Sequence, residues 1–131
     1  MRFMLDTNIV SAIVRDPRGK VLQRLVEVGE ENVFISIITH GEIWYGVRKN
    51  WSEALAKKVS AVTRRLYVAP LSLPSDQRYA EVRLALRQGK NIGQNDLWIA
   101  AHALALDAIL VTNNESEFSR VPGLKVENWL R

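Results

Sequence analysis

The chain has 131 residues, of which 47% are hydrophobic, and this length and composition suit one packed domain over residues 1–131. It contains no cysteine, which excludes disulfide bonds, thiolate zinc sites and a cysteine nucleophile. The 18 Lys and Arg residues outnumber the 14 Asp and Glu residues, and the net charge of +4 favours an anionic partner such as a nucleic acid.

Short apolar strands and amphipathic helices alternate in the first half of the chain. Pro17 suits the first turn of the second helix, and Gly29 suits its end. We predict strands over residues 2–5, 32–36 and 67–69, and helices over residues 8–14, 17–28, 37–49 and 51–65.

The second half continues the alternation. We predict a helix over residues 74–88 that ends at Gly89, a polar loop over residues 90–94, a helix from Asn95 to Leu106, and strands over residues 108–111 and 124–127. Asn95 is the predicted cap of the long helix. Strands that alternate with helices indicate an α/β fold with a mainly parallel central sheet.

No apolar run reaches the roughly 18–20 residues that a membrane helix needs. Asp6 interrupts the apolar start, and the basic residues follow that start rather than precede it. We therefore expect no signal peptide and no membrane segment, and we expect a soluble, cytoplasmic protein.

Three acids lie where elements of the predicted sheet begin or end. Asp6 follows the first strand, Glu42 lies in the helix after the second strand, and Asp96 lies in the first turn of the helix before the fourth strand. The sequence Thr112-Asn113-Asn114 ends that fourth strand. Ligands of open parallel sheets bind beyond the carboxyl ends of the strands, so these side chains are candidates for one site.

Each acid also has a structural interpretation. Asp6 suits a helix cap, and Asp96 suits the positive end of a helix dipole. The residues Thr39-His40-Gly41-Glu42 have the spacing of a capping box, in which Glu42 reaches back to a backbone amide. Spacing alone leaves both interpretations open.

A functional interpretation follows from electrostatics. Clustered carboxylates repel one another unless they are protonated or neutralised, and a hard divalent cation such as Mg²⁺ neutralises them. Such a cation lowers the pKa of a water and offsets charge on a phosphate. A basic chain with an acidic pocket is therefore suited to phosphodiester cleavage.

Four stretches carry a family resemblance over nearly the whole chain. They are MLDTNIV, ISIITHGEIWYGV, IGQNDLWIAAHALALDAILVTNN and EFSRVPGLKVENW. In this order they resemble the PIN-domain ribonucleases of the VapC toxin type, from bacterial toxin–antitoxin pairs. The resemblance implies a three-layer α/β/α sandwich around a mainly parallel sheet.

The resemblance also implies a function and partners. Asp6, Glu42 and Asp96 would be the catalytic residues and would ligate Mg²⁺, with Mn²⁺ as a substitute. The substrate would be RNA, with some family members selecting transfer RNA, including initiator tRNA. A cognate VapB-type antitoxin would block the site, the toxin would be a homodimer, and operator DNA would be bound only through the antitoxin complex.

One position departs from the commoner family pattern. Many PIN domains have a fourth acid after the strand-four threonine, where this chain has Asn113 and Asn114. Glu117 is the nearest carboxylate and is the candidate replacement, which leaves one-metal and two-metal action both open. Four polar residues are predicted either to orient the carboxylates or to cap turns, namely Thr7, Asn8, Thr112 and Asn113.

Other polar and aromatic residues have predicted roles in the core or on the surface. His40 and His102 are predicted to be structural, and no His spacing suggests zinc. The segment Ile43–Val47 is predicted to pack in the core or to form a dimer or antitoxin surface. Candidates for RNA phosphate contacts are Arg15, Arg18, Lys20, Arg48, Lys49, Arg87 and Lys90.

Two rival functions remain at this stage. The first is a PIN-like module with weak catalysis that binds RNA or its antitoxin. The second is an unrelated small α/β phosphate-binding protein or phosphatase, although the chain has neither a GxxxxGK[ST] nor a GxGxxG run.

Overall fold

The computed structural model describes residues 1–89 and 91–131, so Lys90 and its predicted phosphate contact lie outside the described residues. The described strands form one sheet in the order β3-β2-β1-β4-β5, and every pairing is parallel. The strands are β1 (Phe3–Leu5), β2 (Val33–Ser36), β3 (Tyr67–Ala69), β4 (Ile109–Val111) and β5 (Val126–Glu127). The prediction of a mainly parallel sheet is confirmed.

Helices cover both faces of this sheet. They are α1 (Thr7–Arg15), α2 (Lys20–Val28), α3 (Ile37–Lys49), α4 (Glu53–Thr63), α5 (Ser75–Ala85), α6 (Gln94–Ala105) and the short α7 (Glu115–Phe118). The longest of them, α3, has 13 residues. None of the helices that the structure describes is both long enough and apolar enough to span a bilayer.

Alternating side chains of β1 divide the core into two layers. Phe3 and Leu5 pack in a cluster with residues of α1 to α4, whereas Met4 packs in a cluster with residues of α5 and α6. Leu5 and Met4 are fully buried, as expected for a central strand of a parallel sheet. The three-layer α/β/α architecture is therefore confirmed.

The predicted start of the second helix at Pro17 is wrong. Residues 16–19 form a turn instead, in which the Gly19 N–H donates to the Asp16 carbonyl at 3.1 Å and the Arg18 N–H donates to Asp16 Oδ1 at 3.4 Å. The helix begins only at Lys20. The local hydrogen bonds of Asp16 compete with helix formation and delay its start.

The predicted cap at Asn95 is also wrong. Helix α6 begins at Gln94, and Gly93 occupies the cap position. Asn95 lies inside the first turn, where its Nδ2 donates to Glu42 Oε2 at 3.2 Å. The Asn95 side chain, which the sequence predicts to cap the helix, therefore makes a tertiary contact instead.

A candidate metal centre at the carboxyl edge of the sheet

Asp6 lies directly after the central strand β1 and is only 6% exposed. Its Oδ1 accepts a hydrogen bond from the Ile9 N–H at 3.2 Å, so it caps α1 as the structural interpretation predicted. Its Oδ2 accepts from the Thr112 hydroxyl, at the end of the neighbouring strand β4. Burial raises the pKa of Asp6 and outweighs these hydrogen bonds, and the charge of Glu42 adds to the rise.

Glu42 joins three helices at this edge. Its Oε1 accepts from the Thr7 hydroxyl of α1 at 2.7 Å, and its Oε2 accepts from Asn95 of α6. The predicted capping box is wrong, because Ser36 caps α3 by accepting from the Ile38 N–H at 3.1 Å. The Glu42 carboxylate is directed away from its own backbone and into the site.

Asp96 and Glu117 form a hydrogen-bonded carboxyl pair. Burial, the hydrogen bond to Glu117 and the negative charges of Glu117, Glu42 and Asp6 together raise the pKa of Asp96 to about 7. Burial also raises the pKa of Glu117, but its hydrogen bonds outweigh that effect and lower the pKa overall. One of those hydrogen bonds comes from the Gly93 N–H at 3.2 Å. The pair therefore favours the protonated form of Asp96 and the ionised form of Glu117.

These four carboxyl groups fit a hard divalent cation by their chemistry. Asp6, Glu42 and Glu117 each make ionised Asp96 less favourable, which is the repulsion that a bound cation removes. In residues 1–89 and 91–131, however, no three acid or histidine side chains are arranged to hold an ion as they stand.

The predicted orienting residues contact the acids in two of four cases. Thr7 donates to Glu42, and Thr112 donates to Asp6. Asn8 instead donates to Asn113 Oδ1 at 3.2 Å, so these two side chains pair with each other.

Two further contacts were missed by the sequence analysis. Asn95 donates to Glu42, and Asn114 donates to Glu117. Their only sequence signal is adjacency: Asn95 precedes a candidate ligand, and Asn114 follows the strand-four Thr-Asn pair. Asparagine at a helix start or strand end is usually explained by capping, so this signal is weak.

The two histidines make structural contacts, as predicted. His102 is 1% exposed, its Nδ1 lies 2.8 Å from the Ser36 hydroxyl, and burial lowers its pKa. His40 Nε2 accepts a hydrogen bond from the Trp44 indole N–H at 3.2 Å. Neither contact includes one of the four acids.

The aromatic segment Ile43–Val47 is divided between the core and the surface. Ile43 and Val47 belong to the core cluster, and Trp44 packs partly against it. Tyr45 is 67% exposed. Both predicted roles, core and contact surface, therefore remain compatible with this segment.

The candidate phosphate-binding residues are dispersed. All that the structure describes are exposed: Arg15, Arg18, Lys20, Arg48, Lys49 and Arg87. Arg15 shares a surface depression with Glu42. It is therefore the one that most directly borders the acidic site.

Comparisons of sequence and of structure with known proteins point to the same family. The model of the PIN-domain family matches residues 3–124. The chain is 41% identical to "Ribonuclease VapC2" of Rickettsia felis and 33% identical to "tRNA(fMet)-specific endonuclease VapC" of Shigella flexneri, with 98% of each chain covered. The VapBC2 structure from R. felis, bound to a promoter DNA fragment, superposes with a TM-score of 0.90 at 38% identity, covering 98% of this chain and 99% of that one.

Proposed function

Because the chain belongs to the PIN-domain family, we propose that it is a Mg²⁺-dependent endoribonuclease toxin whose activity an antitoxin controls. Relatives named ribonuclease or endonuclease over nearly the full chain support a nuclease. The observation that carries the proposal is the mutual electrostatic influence of Asp6, Glu42, Asp96 and Glu117 at the carboxyl edge of the sheet. A mutually repelling acid cluster in a basic chain is suited to a cation and a phosphate together.

Asp6, Glu42 and Asp96 would hold Mg²⁺, or Mn²⁺ as a substitute, with Glu117 as the candidate fourth ligand. When bound, the cation would offset negative charge on the scissile phosphate and lower the pKa of a water. Asp96 would hold the cation only in its ionised form, because the ligating form of a carboxyl group is the carboxylate.

Neighbouring side chains would orient these carboxylates. The Thr112 hydroxyl fixes one oxygen of Asp6, and the Thr7 hydroxyl and the Asn95 amide each fix one oxygen of Glu42. The Asn114 amide and the Gly93 N–H do the same for Glu117. Such hydrogen bonds restrict side-chain rotation and hold the acids at this edge of the sheet.

Transfer RNA is the substrate class that we propose to test first. Two relatives, from Shigella flexneri and Salmonella typhimurium, are named as specific for tRNA(fMet), at 33% and 31% identity. The basic net charge suits an RNA of this size.

The proposed partners are a VapB-type antitoxin, operator DNA bound through the antitoxin complex, and a second copy of the chain. Structures of VapBC complexes, two of them with DNA, are among the neighbours. Exposed apolar side chains, among them Tyr45 at 67% and Val26 at 70%, are compatible with such contacts. We propose the cytoplasm as the location, where RNA and operator DNA are present.

The test is cleavage of total RNA and purified tRNA by the full chain in Mg²⁺ or Mn²⁺, with and without chelator. We expect discrete fragments from wild type with metal and none from Asp6→Asn or Asp96→Asn. Asp76→Asn is the matched control, because Asp76 is also an acid in the first turn of a helix but is exposed and does not affect the pKa of Asp96. Equal cleavage by Asp96→Asn would remove that residue from the mechanism.

The rival function, a PIN-like module with weak catalysis, predicts a different result. The full chain would bind tRNA in a gel-shift assay but would leave it intact with either metal. The absence of a preformed three-ligand arrangement among the described residues is the observation that keeps this rival in the test.

A further inference from the structure

A slot of about 300 Å³ opens directly beside Glu42, between α1, α3 and α4. Thr7 and Glu42, which are hydrogen-bonded to each other, both line it. Arg15 lies at the last residue of α1 and also lines the slot. The slot is therefore continuous with the acidic site and extends outward along α1.

A glycine keeps the slot open. Gly46 lies one helical turn after Glu42 on the same side of α3, and a Cβ atom built there meets no atom within 4 Å. Side chains on a helix lean towards its N-terminus, so a side chain at position 46 would extend towards Glu42. Glycine is the least favourable residue after proline inside a helix, and no described group of this chain uses the space that it leaves.

The polar side chains of the slot outside Glu42 lie on one wall. The α1 wall combines Val10 and Val14 with a polar stripe at four-residue spacing, Thr7, Ser11 and Arg15. Among the described residues, neither the Ser11 hydroxyl nor the Arg15 guanidinium has a hydrogen-bond or ion-pair partner. The opposite wall is apolar and includes Val47 and Leu55.

We propose that this slot binds the base of a nucleotide next to the scissile phosphodiester, an inference that rests on the proposed ribonuclease function. A nucleobase has apolar faces and a polar edge, which match the apolar wall and the hydroxyl-bearing wall. The free positive charge of Arg15 complements a neighbouring phosphate rather than an apolar peptide side chain. Contact with Glu42 places the occupant beside the bond that is cut.

The experiment compares two RNA substrates and two proteins. The cut is first mapped on tRNA with wild type, and short RNAs spanning it are made with and without one abasic nucleotide on either side. For wild type we expect removal of the bound base to lower kcat/KM about 10- to 100-fold, as expected for loss of one base contact. Gly46→Leu fills the slot, so this variant should cut the intact RNA about as slowly as wild type cuts the abasic RNA. It should also cut the intact and the abasic RNA at the same rate.

Two control variants separate slot filling from other effects. Ala54→Leu puts the same side chain at an exposed position of α4 that does not line the slot, and should preserve the dependence on the base. Gly46→Ala should melt at a higher temperature than wild type, because alanine favours the helix and meets no atom. This second control shows that position 46 tolerates a side chain in the fold.

Three outcomes would overturn the proposal. In the first, Gly46→Leu distinguishes intact from abasic RNA as strongly as wild type does. In the second, Gly46→Leu cuts RNA normally but is no longer inhibited by a purified VapB-type antitoxin that inhibits wild type, which assigns the slot to the protein partner. In the third, wild type cuts no RNA, and the slot proposal then falls together with the proposed function; only this outcome rejects both.

Discussion

Asp96 is the residue at which the candidate function conflicts most directly with stability. Its pKa is raised to about 7, mainly by burial and by the neighbouring carboxyl group of Glu117. The unfolded chain has no such neighbours, so its Asp96 ionises near the ordinary value of 3.8. The folded state therefore binds a proton more tightly than the unfolded state, and stability that is present below pH 4 is lost as the pH rises to about 7.

This linkage predicts that Asp96→Asn stabilises the metal-free protein. At pH 8 in chelator we expect the variant to exceed wild type by about 1–2 kcal/mol in unfolding free energy, or roughly 3–6 °C in Tm, because it removes a repelled charge. The difference should shrink towards pH 4, because wild-type Asp96 is then protonated in the folded state and no longer carries the repelled charge. Thermal unfolding from pH 4 to 8 measures this difference.

Added Mg²⁺ tests the same charge repulsion in a second way. It should raise the Tm of wild type at pH 8 and leave Asp96→Asn nearly unchanged, since the variant lacks one ligand. A variant that is less stable than wild type at pH 8 in chelator would contradict the charge-repulsion argument.

At the scale of elements, the start of α3 supports the position of Glu42. Ser36 caps this helix and also contacts the buried His102 of α6, whereas Ser52 caps α4 at an exposed end by accepting from the Leu55 N–H at 3.2 Å. Both serines make the same kind of cap, but only Ser36 has a buried partner. The two positions therefore form a matched pair.

We predict that Ser36→Ala costs about 2–3 kcal/mol of stability and Ser52→Ala only about 1 kcal/mol. Each loses a cap, but Ser36→Ala also leaves the His102 Nδ1 without its partner in a buried position. Urea unfolding at pH 7.5 measures both values. Equal losses would show that the contact with His102 contributes nothing.

The sequence predicts most elements but few of the contacts between them. Helix α3 and strand β3 match their predicted bounds, because their periodicity and their caps are local properties of the sequence. Local capping was the structural alternative for Glu42 and the predicted role of Asn95. Both side chains instead bond to partners more than 30 residues away in sequence, Glu42 to Thr7 and Asn95 to Glu42. The acids of the site were predicted from their positions at strand and helix ends, whereas the Asp96–Glu117 pair depends on tertiary packing.

Across the whole molecule, exposed apolar side chains lie on more than one surface. Val26 of α2 is 70% exposed, Tyr45 of α3 is 67% exposed, and Leu84 of α5 is 60% exposed. A groove of about 610 Å³ between α2 and α4 contains Val26 together with Leu22 and Val62. Apolar surfaces of this kind mark contacts with partners, and we assign this α2–α4 groove to the proposed antitoxin.

We predict that Val26→Asp prevents neutralisation by the antitoxin and leaves RNA cleavage intact. Val26 is exposed, so a charge there costs the fold little, but in the groove of a complex it would be buried without a partner. Leu84→Asp is the matched control, because it adds the same charge at a similarly exposed apolar position on α5. The measurement is the antitoxin concentration that halves cleavage. For Val26→Asp this concentration should rise at least about 10-fold, as expected for loss of roughly 1.4 kcal/mol of binding free energy. For Leu84→Asp it should stay unchanged. Neutralisation of Val26→Asp at the wild-type antitoxin concentration would show that the antitoxin binds elsewhere. A higher antitoxin requirement for Leu84→Asp alone would place the contact on α5.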